Sequence, residues 1–268
     1  MGPVELSVSD LERTLEYWQN EVGLQVLARP KESDGAARAS LGVDTELVRF
    51  VEEPGARSAR GYAGLYHVAL LLPTRRDLAN WLAHAGRDQV GVEGLSDHAV
   101  SEAIYLRDPD EHGIEIYADR PREQWQGRVM ELMTTRPLDV ESLFGDLEEP
   151  RVALPEGTVV GHTHLCVSEI DATVHFYRDL LGMDLMAQLG PMAAFLSSGG
   201  YHHHVGANVW ESRGRPSAPE GTARLLEATI LAEDEAELGH LAARLEREAD
   251  DGRVAVQDPS GNSLSLMV

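Results

Sequence analysis

Apolar and polar positions along the chain fall into blocks that come back. Residues Val4 to Leu24 open with a short apolar-rich run, pass Ser9, and continue with Leu11, Leu15 and Trp18 at helical spacing until Gly23. This pattern predicts a strand, then an amphipathic helix with Ser9 and Glu12 as its capping box, then a glycine stop. The arrangement returns 159 residues later, where Ser168, Val174, Phe176, Tyr177, Leu181 and Gly182 stand in the places of Ser9, Leu15, Tyr17, Trp18, Val22 and Gly23. A second pattern also occurs twice. Leu65 to Leu72 reads as an apolar strand before a helix from about Arg75 to Ala85, and Leu225 to Ala232 as a strand before a helix from about Glu235 to Arg247. Each then runs through Asp-Pro and a turn into a short alternating strand, Asp108-Pro109 to Tyr117 and Asp258-Pro259 to Met267.

Four units of strand, helix and further strands follow, at 1–56, 62–120, 158–212 and 222–268. They group as two halves, 1–120 and 157–268, joined by a linker at 121–156 that is rich in proline and acid, with a short helix from Val140 to Leu147. The expected class is α+β, with half-buried mixed sheets and helices on their outer faces.

Composition narrows the setting. A length of 268 residues suffices for two ordinary domains with cores of their own. No apolar run reaches the roughly 18 residues of a membrane span, and the N-terminus lacks the regions of a signal peptide. The single cysteine, Cys166, excludes an intrachain disulfide and fits a reducing compartment, so a cytoplasmic protein is expected. A formal charge of −22, with Lys31 the only lysine, argues against nucleic acid or an anionic membrane as partner.

The chemistry concentrates between Asp97 and Tyr117. In Ile114-Glu115-Ile116-Tyr117 the glutamate points away from its isoleucine neighbours, so if they pack under the helices Glu115 faces the opposite, concave side. The run His98, Ile104, Tyr105, Asp108, Pro109, Glu115 resembles the signature of extradiol ring-cleaving dioxygenases of the catechol 2,3-dioxygenase type. These belong to the glyoxalase, or vicinal oxygen chelate, superfamily. Ser96 and Glu111 depart from the usual pattern, both outside the ligand set.

The resemblance implies four βαβββ modules forming mixed, cup-shaped sheets. It implies that Glu115 is an iron ligand, with His98 and Tyr105 touching the bound catechol. The family's first histidine ligand opens a unit just after a glycine, which fits His162 in Gly161-His162-Thr163-His164-Leu165-Cys166, and the second fits His67 in Leu65-Tyr66-His67-Val68. Two imidazoles and a carboxylate on one face of a metal form a facial triad that suits Fe(II), with Mn(II) possible. A histidine that moves protons is expected in the last strand of the third unit, at His203 in Tyr201-His202-His203-His204, with His202 and His204 as alternatives of register.

Only the second and third units together supply this set. The first unit has Pro3 at the first histidine position; the fourth has Glu227 and Ser265 where a histidine and the glutamate are expected. The fourth unit is also ten residues shorter than the second across the stretch that holds His98. The expected function is extradiol cleavage of a catechol-type diol with both atoms of O2 inserted, by a protein that is a homodimer by analogy. A glyoxalase-like isomerase or lyase, or a non-catalytic protein binding metal or aromatic compounds, is the alternative.

Overall fold

The recurring blocks become strands whose apolar faces pack under helices. The computed structural model describes residues 1–31 and 35–268. The first unit holds β1 (Val4–Val8), α1 (Leu11–Tyr17), β2 (Gln25–Ala28), β3 (Arg38–Gly42) and β4 (Glu46–Glu52). The second holds β5 (Gly64–Leu71), α2 (Arg75–Asp88), β6 (Val92–Asp97), β7 (Ser101–Arg107) and β8 (Gly113–Asp119). The linker carries α3 (Val129–Leu132) and α4 (Val140–Phe144). The third unit holds β9 (Val159–Cys166), α5 (Ile170–Val174), β10 (Asp184–Leu189), β11 (Ala193–Ser197) and β12 (Val205–Asn208). The fourth holds β13 (Leu225–Leu231), α6 (Glu235–Arg244), β14 (Arg253–Gln257) and β15 (Ser263–Met267). Its one strand fewer after the helix accounts for the missing length.

The class is α+β, as expected, and the units combine in two directions at once. One sheet runs β14-β15-β13-β1-β4-β3-β2 and joins the first unit to the fourth. The other runs β6-β7-β8-β5-β9-β12-β11-β10, extended beyond β6 by Arg136–Pro137, and joins the second unit to the third. The buried apolar clusters divide the other way. Leu6, Trp18 and Phe50 pack with Leu70, Trp81 and Ile116 in one, and Tyr177 and Leu196 with Leu241 and Leu266 in the other. Each large side chain so buried stabilises by roughly 1.5–3 kcal/mol. Sheets therefore cross between the halves, and cores stay largely within them, with Val160 of the third unit joining the first cluster.

The repeated Asp-Pro turns lock these cores. Asp108 accepts from the backbone N–H groups of Asp110 and His112, both at 2.9 Å, and from Trp18 Nε1 of the neighbouring unit at 3.1 Å. Asp258 accepts from Ser260 and Asn262 in the same way, and from the Tyr177 hydroxyl at 3.4 Å. Glu111 sits at φ +69°, and its counterpart in the fourth unit, Gly261, at φ +84°. Both turns use left-handed backbone, which glycine adopts more readily than glutamate.

Two helix boundaries differ from expectation. Asp10, not Ser9, caps α1 by accepting from the Arg13 N–H at 3.0 Å. Ser9 is drawn away by the second unit, donating its N–H (2.9 Å) and hydroxyl (2.6 Å) to the Asp110 carboxylate. In the third unit Glu169 caps α5, while Ser168 bonds the Arg215 carbonyl. The linker is not an isolated connector. Leu138, Leu143 and Leu154 belong to the first core, and Trp125 and Val129 pack with Val100, Met186 and Tyr201.

Candidate metal centre

Three neighbouring strands, β8, β5 and β9, bring the central side chains together. Ile114 and Ile116 pack into the core, which turns Glu115 to the concave face. Ladder register sets Glu115 and His162 on either side of Ala69, while His67 lies two residues before Ala69 on the same face. The Ala69 methyl leaves room for the flanking side chains to converge. His67 Nε2 lies 2.9 Å from Glu115 Oε2, His162 Nε2 lies 3.2 Å from the same oxygen, and the two nitrogens are 3.2 Å apart. Gly161, just before His162, is needed because a Cβ there would lie 1.9 Å from the Tyr117 hydroxyl.

The protonation states of His162 and Glu115 are those of ligands. Burial brings the His162 imidazole down to about 4 against the pull of Glu115, leaving it neutral near pH 7. Burial alone would raise the Glu115 carboxyl, but the adjacent His162 and His67 outweigh it and hold the group well below the usual range. Among the described residues this buried carboxylate pairs with the His67 and His162 imidazoles and with no arginine or lysine, so a bound cation would supply the permanent countercharge that the chain does not.

The donor set fits a divalent metal. Donors at about 2.1 Å from one ion lie about 3.0 Å apart when at right angles and about 3.4 Å apart in a tetrahedron. The observed triangle is nearer the first, the face of an octahedron, and mixed imidazole and carboxylate donors suit that geometry. His67, Glu115 and His162 form the one cluster of metal-ligating type among the described residues.

Ladder register also locates the fourth donor position that internal symmetry would provide. Glu115 stands opposite the residue two beyond His67; the residue two beyond His162 is His164, and it stands opposite Gly206. A Cβ at Gly206 would lie 2.8 Å from the His164 ring, so no side chain fits there. His164 itself stays beside the cluster, its ring 4.8 Å from that of His67, with Nε2 buried and unpartnered.

His98 and Tyr105 adjoin the cluster as a hydrogen-bonded pair. The Thr134 carbonyl 2.8 Å from His98 Nδ1 requires a proton on that nitrogen, so in the neutral ring Nε2 accepts from the Tyr105 hydroxyl at 2.7 Å. Burial and the Glu115 charge push the Tyr105 phenol well above its ordinary value and keep it a donor. Its ring is 5.5 Å from that of His67.

The histidine run departs from expectation in placement. Tyr201 to His204 form the connection before β12, not the strand itself, because β12 begins at Val205. Of the three histidines, His203 is the one packed against His162, with ring centroids 4.0 Å apart and planes tilted by 45°. His202 is turned to Asp119, with Nε2 2.8 Å from Oδ1, and His204 Nδ1 is turned to Ser197 Oγ at 2.9 Å. Burial holds His203 well below the ordinary histidine range, as a neutral base.

Sequence reasoning passed over Asp119, Tyr201, Trp125 and Met133. Asp119 shares the face of Glu115 by simple alternation in β8, a signal that was available. Met133 comes from the linker and packs on Ala187 and Phe195 at one side of the cup, and no motif marks it. Glu227 and Ser265 lie in the other sheet, and Pro3 immediately precedes its strand β1.

Comparison with known proteins agrees with this architecture. Residues 1–116 and 159–266 match the model of the Glyoxalase/Bleomycin resistance protein/Dioxygenase superfamily, and the chain belongs to that superfamily. Within it, the chain is 38% identical over 281 aligned residues to the catechol-2,3-dioxygenase of Bacillus subtilis (strain 168), covering 100% of this chain and 97% of that one. Among solved structures, a protein of Bacillus subtilis subsp. subtilis str. 168 superposes with a TM-score of 0.67 at 14% identity, covering 100% of this chain and 84% of the other. Glyoxalase I of Zea mays gives a TM-score of 0.59 at 16% identity, with 100% and 91% covered. These last two likenesses concern the fold alone.

Proposed function

We propose that the chain is an extradiol dioxygenase, which opens a catechol-type ring beside its two hydroxyls at Fe(II) held by His67, Glu115 and His162. The observation that carries the reading is the three-donor face with Gly206 at the symmetric fourth position. Three protein ligands leave adjacent positions for a chelating diol and dioxygen. A glyoxalase-like isomerase or lyase commonly draws a fourth protein ligand from that strand, and glycine offers none. Similarity along the whole chain to the Bacillus subtilis catechol-2,3-dioxygenase supports the ring-cleaving class. On this reading the protein is an oxidoreductase. Mn(II) would suit the same donors.

Bound Fe(II) supplies a Lewis acid for both diol oxygens and a path for electrons from the ring to dioxygen. The chain's own residues do the rest. Neutral His203, against His162, takes a substrate hydroxyl proton and later returns it. The Tyr105 hydroxyl, its proton committed to His98, accepts from a substrate hydroxyl and fixes the ring's orientation. Trp125, Val129 and Met133 wall the cup on the linker side and limit the entry of water.

The test is oxygen uptake after anaerobic reconstitution with Fe(II). Catechol should give a yellow ring-opened semialdehyde with one equivalent of O2 consumed. A colourless diacid would mean cleavage between the hydroxyls, and no uptake with several catechols would favour a binding protein.

A further inference from the structure

Behind His203 runs a ladder of polar groups that leads out of the cup. His203 Nδ1 lies 2.8 Å from His202 Nδ1, and His202 Nε2 lies 2.8 Å from Asp119 Oδ1. His202 is fully buried, His203 nearly so, and the Asp119 side chain is 24% exposed. The Tyr201 hydroxyl donates to the same Asp119 oxygen at 3.1 Å, and the Tyr117 hydroxyl lies 2.8 Å from that of Tyr201.

The ladder has a direction, set by what each group can do. A carboxylate only accepts, so His202 Nε2 carries the proton that bonds Asp119. In the neutral ring His202 Nδ1 is then bare, and the 2.8 Å contact requires His203 Nδ1 to donate to it. That leaves His203 Nε2 without a proton and, among the described residues, without a hydrogen-bond partner. An isolated imidazole has no such constraint.

We propose that Asp119 and His202 are positioning residues that fix the tautomer of His203 and carry its proton to solvent. The proposal rests on the dioxygenase reading for the identity of the proton donor. As a substrate O–H bond breaks, an N–H bond forms at His203 Nε2. The Nδ1 proton passes to His202 Nδ1, the His202 Nε2 proton passes to Asp119 Oδ1, and Asp119 releases it to water. Returning the proton runs the ladder backwards, and no ring has to turn. Both imidazoles start and finish neutral, so the substrate oxyanion is the one new charge left in the cup.

Two measurements test this. The first is two-bond proton–nitrogen correlation NMR on the full chain, loaded with diamagnetic Zn(II) and labelled with nitrogen-15 at histidine. His203 should show the Nδ1–H tautomer and His202 the Nε2–H tautomer. Asp119→Asn can donate to His202 and reverse the ladder, so the His203 Nδ1–H signature should be lost; Asp119→Glu should retain it. The second is turnover of the Fe(II) enzyme. Asp119→Asn should lower kcat on the order of 10- to 100-fold with KM and iron content unchanged, and Asp119→Glu should recover most of it. A wild-type His203 protonated at Nε2 would overturn the proposal, as would an Asn variant with unchanged tautomers and turnover, or one that loses its metal. Absence of oxygen uptake by the wild-type chain would contradict the dioxygenase reading instead, while the spectra test the tautomers whatever the reaction.

Discussion

The two sheets are made from the same kind of unit, yet their cups balance charge in opposite ways. In the sheet of the second and third units the four symmetry-related positions hold His67, Glu115, His162 and Gly206. In the sheet of the first and fourth they hold Glu227, Ser265, Pro3 and Arg49. There Arg253 closes the site from within, with one guanidinium nitrogen on the Glu227 carboxylate and Nε donating to Ser265 Oγ at 2.7 Å. Burial raises the Glu5 carboxyl beside it, with Arg49 opposing. One cup carries its own cations. The other buries a carboxylate between two imidazoles, with no arginine or lysine paired to it among the described residues, and is suited to take a cation from solution. The difference lies in the source of the countercharge, and a few side chains on a shared scaffold set it.

The largest effects should come from the triad. Glu115→Ala, His67→Ala or His162→Ala should each abolish turnover and deplete iron, measured by metal analysis, because two ligands hold Fe(II) poorly. Glu227→Ala and Ser265→Ala should leave iron content at the wild-type level. Full iron occupancy in the Glu115 variant would remove the basis of the comparison.

Next in size is the base. His203→Phe should keep its iron, since the ring packs against a ligand without being one, and slow kcat by about 10²–10⁴-fold. Loss of iron in that variant would make His203 a ligand.

The cups should also differ in their response to acid. In metal-free protein His162 and His204 are held near 4, and His164 and His203 well below the ordinary 6.5, chiefly by burial. The unfolded chain therefore binds protons that the folded chain refuses, and stability is lost as pH falls from about 6.5 towards 4. Glu5, raised by burial, acts with the opposite sign and costs stability as pH rises through its folded value. Urea midpoints across this range should fall on the acid side, and saturating divalent metal should raise them at neutral pH. A flat profile from pH 6.5 to 4 would contradict the buried neutral histidines.

The smallest effect concerns the turn behind the triad. Glu111→Gly relieves a left-handed backbone at φ +69° and should stabilise by about 0.5 kcal/mol, measured by urea denaturation.

Much of this was legible in the sequence. The repeats appear because each helix needs its apolar stripe and each Asp-Pro turn its buried aspartate, and Glu115 could be oriented because its isoleucine neighbours could only face a core. The pairing of the second unit with the third followed from which positions could ligate at all. Other features depended on partners far along the chain. Ser9 looked like a cap until Asp110 claimed it, and the three histidines looked like a strand although their bonds go to Asp119 and Ser197. The linker's role at the cup rests on Trp125 and Met133, single apolar residues with no period around them. Nor does any local pattern show that Arg253 would fill the second cup.

Anomalous scattering at the iron edge, from a crystal of the anaerobically reconstituted full chain, tests the central claim most directly. The account predicts a single peak bonded to His67 Nε2, His162 Nε2 and one Glu115 oxygen, with ligands from both halves of the chain, and none beside Glu227. A peak in the cup of Glu227 and Ser265, or one that uses His203 in place of Glu115, would contradict it.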